Sequence, residues 1–233
     1  MRSEERVAAG VPLLIVEPDD AAERTPVVLW HHGFSVSKET HRDELARVAA
    51  LGIRAVGVDA VGHGARRFPD WDDRLDAARR GPPGSVFRFM LSIAAATADE
   101  TPALVAALAE SGLADPERVS LVGISLGGYV AHRAVLRYPR LRAVVALLGS
   151  PAWPDDPASP HLHVDAFRNT AMLSITAERD ASVPPEEARL FHERLGASAR
   201  TRYLELAGAE HLMSGDQWGE AMGETMAWLG RFA

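Results

Sequence analysis

The sequence predicts an α/β fold, a mainly parallel sheet covered by helices on both faces. Three observations carry the prediction. Short β-branched and aliphatic runs at residues 27–30, 53–58, 118–122, 143–148, 171–177 and 201–206 alternate with segments of helical period, the pattern of strand–helix–strand units. Most of these runs are apolar throughout, as strands buried on both faces must be. The connection at 149–170 is short, polar and rich in proline, so it reads as a loop and leaves minimal or no cap domain. At 233 residues, 47% hydrophobic and 24% charged, the chain fits one domain over residues 1–233 with no break in composition that demands a second.

Taken in order, residues 7–16, interrupted by Gly10 and Pro12, read as one or two short strands at a sheet edge, where proline is tolerated. The run 27–30 is a buried strand that leads straight into His31-His32-Gly33-Phe34-Ser35. A helix over 38–51 follows, with Ser37 as N-cap, an apolar face of Leu45, Val48 and Ala49, and Gly52 as its stop. Strand 53–58 ends in Asp59-Ala60-Val61-Gly62-His63-Gly64. Residues 65–84 mix Arg66, Arg67, Arg74, Arg79 and Arg80 with Asp70, Asp72, Asp73 and Asp76, a solvated segment of self-paired charges rather than an anion site.

Residues 86–98 are apolar on nearly every face. They are expected to be buried, to wall a pocket, or to contact another chain, which would make a homo-oligomer. Thr101-Pro102 opens a helix that stops at Gly112. Strand 118–122 is followed by a helix over 129–138 ended by Pro139. A helix over 185–195 comes next, and after strand 201–206 a terminal helix from Gln217 carries Trp218, Met222, Met226 and Leu229 at spacings of four, four and three.

The net charge of −7 argues against nucleic acid as a partner. Without cysteine there is no disulfide framework, thiolate metal site or cysteine nucleophile. The N-terminal stretch Met1-Arg2-Ser3-Glu4-Glu5-Arg6 lacks an apolar signal core, and no run approaches ~18 apolar residues. The expectation is therefore a cytoplasmic protein with no membrane partner.

The informative stretch is Gly123-Ile124-Ser125-Leu126-Gly127-Gly128, between strand 118–122 and the helix after it. A serine at the tip of a strand–turn–helix, with glycines two before and two after, has the form of a nucleophile elbow. By itself the pattern is weak, because a Gly-rich turn of purely structural use has the same letters. A serine hydroxyl becomes nucleophilic when a base takes its proton, and a histidine base needs a carboxylate to fix its tautomer. The expected order is acid, then histidine. Asp180, in Glu178-Arg179-Asp180-Ala181-Ser182-Val183-Pro184, follows the run 171–177 directly. His211, in Ala209-Glu210-His211-Leu212, follows 201–206.

The carboxyl ends of parallel strands form the ligand edge of an open sheet, so Ser125, Asp180 and His211 are predicted to share one rim. Glu178, Asp155 and Asp156 are rival acids. Backbone N–H groups of Phe34 and Leu126 are the candidate oxyanion donors. A metal at His31-His32 is disfavoured because neighbours on a strand point to opposite faces. His161-x-His163 lacks further ligands nearby, so no metal or cofactor is expected.

These residues resemble those of an α/β-hydrolase. The chain is most similar to small bacterial carboxylesterases of the prolyl-oligopeptidase-like and dienelactone-hydrolase-like branch. The resemblance rests on His32-Gly33-Phe34-Ser35-x-Ser37-Lys38-Glu39, Asp59-Ala60-x-x-His63-Gly64-Ala65-Arg66, Gly123-x-Ser125-x-Gly127-Gly128, Asp180 with Val183-Pro184, and His211, and it spans nearly the whole chain from Val27. It implies a serine esterase acting on a small-molecule, short-acyl ester, with His63 structural. Thioesterase, amidase or peptidase, perhydrolase, or a non-catalytic binding protein of the same fold are the alternatives. Two departures matter: dienelactone hydrolases use cysteine where this chain has Ser125, and no propeller domain precedes the hydrolase part. Phe68, Trp71, Phe87, Met90 and Trp153 are the expected pocket walls.

Overall fold

A computed structural model describes residues 2–233; Met1, which opens the N-terminal stretch above, lies outside them. The chain order is β1 (Arg2–Ala8), β2 (Val11–Glu17), β3 (Val27–His31), α1 (Arg42–Ala49), β4 (Arg54–Val58), α2 (Trp71–Arg80), α3 (Ser85–Asp99), α4 (Thr101–Glu110), β5 (Val119–Ile124), α5 (Leu126–Arg137), β6 (Ala143–Leu147), β7 (Ala171–Ala177), α6 (Glu186–Leu195), β8 (Thr201–Leu206) and α7 (Gly215–Phe232). The strands form one eight-stranded sheet in the order β1-β2-β4-β3-β5-β6-β7-β8. Pairing is antiparallel from β1 through β2 to β4 and parallel everywhere else.

Alternation along the strands divides the core in two. Val119 and Leu121 of β5 face a cluster with Leu91, Ala94, Val130 and Phe191, from α3, α5 and α6. Val122 and Ile124 face the other cluster, with Leu45 and Val48 of α1 and Met222 and Leu229 of α7. The period of two in the strands thus decides which helices cover which face. After β3 the chain crosses to β4 on one side, and β5 then pairs on the other side of β3. The strand order therefore reverses between β3 and β5, and ligand crevices in open α/β sheets lie at such switch points.

Several expectations are corrected in detail. Of the first two strands β1 alone lies at a sheet edge; β2, which contains Pro12, lies inside the sheet. Proline fits there because pairing with β4 begins one residue later, at Leu13. The segment 65–84 is not all irregular. It holds α2, whose buried anchor is Trp71, while Arg67–Asp72, Arg74–Asp70 and Arg79–Asp76 pair on the exposed side as the charge pattern suggested. The helix expected from Lys38 starts as a 3-10 turn, Lys38–His41, and becomes α-helical at Arg42. The loop 149–170 contains two short 3-10 turns, Pro160–Leu162 and Val164–Phe167.

The apolar helices at 86–110 form a stretch, Ser85–Glu110, that is long and apolar enough by composition to cross a membrane, contrary to the sequence count. Half of its most apolar window is buried inside the protein, and α3 packs along α5, as a core helix does.

Candidate active site

The elbow is built by close approach. A Cβ on Gly123 would lie 1.8 Å from the Gly127 carbonyl oxygen, and one on Gly127 would lie 2.2 Å from that of His31. Only glycine fits at either place, so the turn can be this sharp. Ser125 itself sits at φ 54°, ψ −111°, a conformation that costs a non-glycine residue about 1–3 kcal/mol. The surrounding hydrogen bonds hold it: its N–H donates to Leu147 at 2.9 Å, and Gly127 N–H donates to the His32 carbonyl at 3.1 Å.

Asp180 and His211 come together because the turns after β7 and β8 are tied to each other. Glu178 N–H donates to Leu206 and Arg179 N–H to Ala209, at 3.1 and 2.8 Å. Asp180 is 4% exposed, and its Oδ1 accepts from the N–H groups of Ser182 and Val183 at 2.9 and 2.8 Å. Its Oδ2 lies 2.6 Å from His211 Nδ1. A carboxylate oxygen can only accept, so Nδ1 carries the proton and Nε2 is bare. Ser125 Oγ lies 3.0 Å from that Nε2 and donates to it. The three residues predicted from separate strand ends form one hydrogen-bonded chain, a geometry able to draw a proton off the hydroxyl.

The rival acids lie elsewhere: Glu178 accepts from Gly208 N–H, and Asp156 pairs with Arg133. His163 donates to the Pro157 carbonyl and His161 bonds Ser159. Among the described residues no group of three or more His, Cys, Asp or Glu is arranged to hold a metal ion.

The turn after β3 is bolted by His32. Its Nδ1–H donates to the Gly33 carbonyl at 2.7 Å, and its Nε2 accepts from Ala60 N–H at 3.1 Å. Burial pushes its pKa down to about 4, so it is a neutral strut. The N–H groups of Phe34 and Leu126 have no backbone acceptor among the described residues; Leu126 opens α5, where helix N–H groups are left unpaired. His63 packs edge-on to Trp71 at 4.5 Å and touches Phe34, giving the loop a rigid floor.

The expected pocket walls need correction. The cavity holding Ser125 and His211, of about 440 Å³, is lined by Phe34, Val36, His41, Leu148, Met213 and Trp218 among others, and by none of the five expected residues. Trp71 is buried behind Phe34, and Phe68 lies under the Arg74 guanidinium. Phe87 and Met90 line a neighbouring cavity that shares Phe34 with the first, and Trp153 lines a third, with Phe87. Met213 follows closely on His211 in sequence and was findable from that; Trp218 was masked by its place in an amphipathic helix.

Fold and site together define the chain as an α/β-hydrolase: a mainly parallel eight-stranded sheet with a serine elbow at its switch point. It belongs to the dienelactone hydrolase family, whose profile matches residues 11–216. It is 30% identical over 149 residues to YitV of Bacillus subtilis (strain 168), a protein assigned by its name as an esterase, covering 64% of this chain and 54% of that one. It is 28% identical over 148 residues to Esterase YjfP of Escherichia coli (strain K12), covering 63% and 55%. The matches thus span about half the length of these curated relatives. A solved structure described as a dienelactone hydrolase from Klebsiella pneumoniae superposes with a TM-score of 0.76 at 19% identity, covering 99% of this chain and 98% of that one.

Proposed function

We propose that the chain is a serine carboxylesterase that cleaves small or short-acyl esters through an acyl-enzyme on Ser125. The observation that carries this is the unbroken chain Asp180–His211–Ser125, ending at the hydroxyl of a residue with a strained backbone in an open cavity. The esterase names of the two curated relatives support the substrate class.

In this mechanism Ser125 Oγ attacks the ester carbonyl carbon while His211 Nε2 takes the hydroxyl proton. Asp180 stabilises the imidazolium that forms. The carbonyl oxygen becomes an oxyanion and accepts hydrogen bonds from Phe34 and Leu126 N–H, donors worth about 2.7–4 kcal/mol each in such sites. Nε2 then returns its proton to the departing alkoxide. Water attacks the acyl-enzyme with the same base, releasing the acid and restoring Ser125. Ser35, at φ 65°, turns the chain sharply just after Phe34.

The test is hydrolysis of p-nitrophenyl esters from acetate to palmitate, with labelling of Ser125 by a fluorophosphonate. Activity peaking at short chains is expected, with a loss of about 10⁶-fold in kcat for Ser125→Ala. Near-native rates in that variant, or a wild-type enzyme neither active nor labelled, would sink the reading.

A further inference from the structure

The wall of the Ser125 cavity is apolar except at one place. Val36, Ile124, Leu148, Leu212, Met213 and Trp218 give it hydrocarbon; besides Ser125 and His211, the one titratable side chain on it is His41. His41 stands at the junction of the 3-10 turn and α1 and is 9% exposed. Its ring packs against two indoles, 5.9 Å from Trp30 at a tilt of 46° and 5.9 Å from Trp218, stacked at 27°. Nδ1 points to Glu44, 3.6 Å from Oε2. Glu44 is in turn fixed by Trp218, whose Nε1–H donates to Oε1 at 2.9 Å. Burial alone would raise the Glu44 carboxyl, but the contacts with His41 and Trp218 hold it down to about 2, so it is an anion at neutral pH. Nε2 of His41 has no protein partner among the described residues.

A ring stacked on one indole, packed against a second and backed at one nitrogen is oriented rather than loose. Its other nitrogen is not among the buried unpaired polar atoms, so it is accessible from the cavity and can bond a water or a ligand seated there. The chemistry of that ligand follows from what the ring can offer. As an imidazole with Nδ1–H toward Glu44, it presents a lone pair at Nε2; as an imidazolium it presents an N–H. A carboxylate would suit only the second form and would sit beside the Glu44 charge. An ammonium would suit only the first. A hydroxyl satisfies both, since it donates to the imidazole and accepts from the imidazolium.

We propose that His41 is a specificity-determining residue that hydrogen-bonds a hydroxyl on the acyl or alcohol arm of the ester seated at Ser125. The proposal rests on the esterase reading and names its substrate class: short hydroxy esters, rather than esters with plain hydrocarbon arms. A site built to bond a hydroxyl discriminates against the analogue that lacks it.

The experiment measures kcat/KM for ethyl butyrate, ethyl 3-hydroxybutyrate and 2-hydroxyethyl butyrate with the wild-type enzyme, His41→Phe and His41→Gln. Each hydroxy ester is read as a ratio to ethyl butyrate on the same protein, which removes differences in folding. The wild type is expected to favour one hydroxy ester by about tenfold, the worth of one good hydrogen bond. His41→Phe keeps the stacking and should bring that ratio to about one, while His41→Gln, which retains a hydrogen-bonding end, should keep part of it. A wild type that cleaves all three esters without preference, or a preference that survives His41→Phe, overturns the assignment. A loss in His41→Phe that is equal on all three esters marks a structural role and overturns it too. No cleavage of any of the three, together with no fluorophosphonate labelling, would instead bring down the esterase reading on which it stands.

Discussion

Two Asp–His couples sit on the same edge of the sheet, and only one leads to a hydroxyl. Asp59 follows β4, with His32 Nε2 3.8 Å from its Oδ1. Asp180 follows β7, with His211 Nδ1 2.6 Å from its Oδ2. Both carboxylates are buried. The difference lies in what else each partner holds. Asp59 accepts from the Lys38 backbone N–H at 2.9 Å, from Lys38 Nζ at 3.2 Å and from Ala65 N–H at 2.9 Å, so it is a clamp between two turns. Both nitrogens of His32 are occupied by the main chain. At the second couple the main chain takes only Asp180 Oδ1, which leaves Oδ2 for His211 and leaves Nε2 for Ser125. Residue type and position on the rim are shared; the nitrogen left for Ser125 is what the proposed base has and the strut lacks.

The sharpest way to break this comparison is to neutralise each carboxylate in turn. Asp180→Asn would present a donor to Nδ1 and force the wrong tautomer on His211, and kcat on a p-nitrophenyl ester is expected to fall about 10⁴-fold. Glu178→Gln, which alters only the carboxylate that accepts from Gly208, should leave kcat within about twofold by the same assay. The reverse outcome would move the acid to Glu178. Asp59→Asn should act on stability instead. It removes one of the two carboxylates on the Lys38 ammonium, 3% exposed, and leaves Glu39 Oε1 at 2.6 Å, so the loss should fall below the ~3–5 kcal/mol of a fully uncompensated buried charge. Its urea midpoint should drop while kcat per folded molecule, obtained by active-site titration, stays far closer to wild type than that of Asp180→Asn. A crippled kcat at unchanged midpoint would mean that the Asp59 couple takes part in the chemistry.

The same contrast explains what could be read from the sequence. Ser125, Asp180 and His211 each lie within a few residues of an apolar strand end, so strand-end logic on a parallel sheet put them on one rim. The inner strands were legible because burial on both faces leaves mostly apolar residues, as in Ala171–Ala177; the half-exposed edge strand Thr201–Leu206 also falls where the pattern placed it. The cavity wall was not legible in this way. Whether Trp218 looks into a pocket or into the core depends on where α7 crosses α1, and Trp218 has the same helical spacing in either case. Phe68 and Trp71 are aromatic residues near the rim by sequence, but the 3-10 turn at Gly64–Arg66 and α2 carry Trp71 behind Phe34 and Phe68 under Arg74. α2 was hidden for a related reason, since one buried tryptophan in ten residues leaves almost no apolar period to find.

The smallest expected effect per residue concerns proton linkage, and its sign tests the strut directly. Burial pushes His32 and His192 down to about 4, and His31 and His132 to about 3, from an unfolded value near 6.5. Between those values and 6.5 the unfolded chain binds protons that the native protein refuses. Stability therefore falls as the pH drops through this window, by about 1.4 kcal/mol per pH unit for each such group. Urea unfolding at pH 7, 6 and 5 should show a progressive loss, and His32→Gln, which can still donate to the Gly33 carbonyl, should reduce the slope by about one proton. Were His32 instead a charged partner of Asp59, its folded pKa would lie above 6.5, its stabilisation would be fully present below 6.5, and it would be lost as the pH rose. A His32→Gln variant that steepens the acid loss, rather than easing it, would show that the first couple is an ion pair after all and that the comparison with Asp180–His211 has to be redrawn.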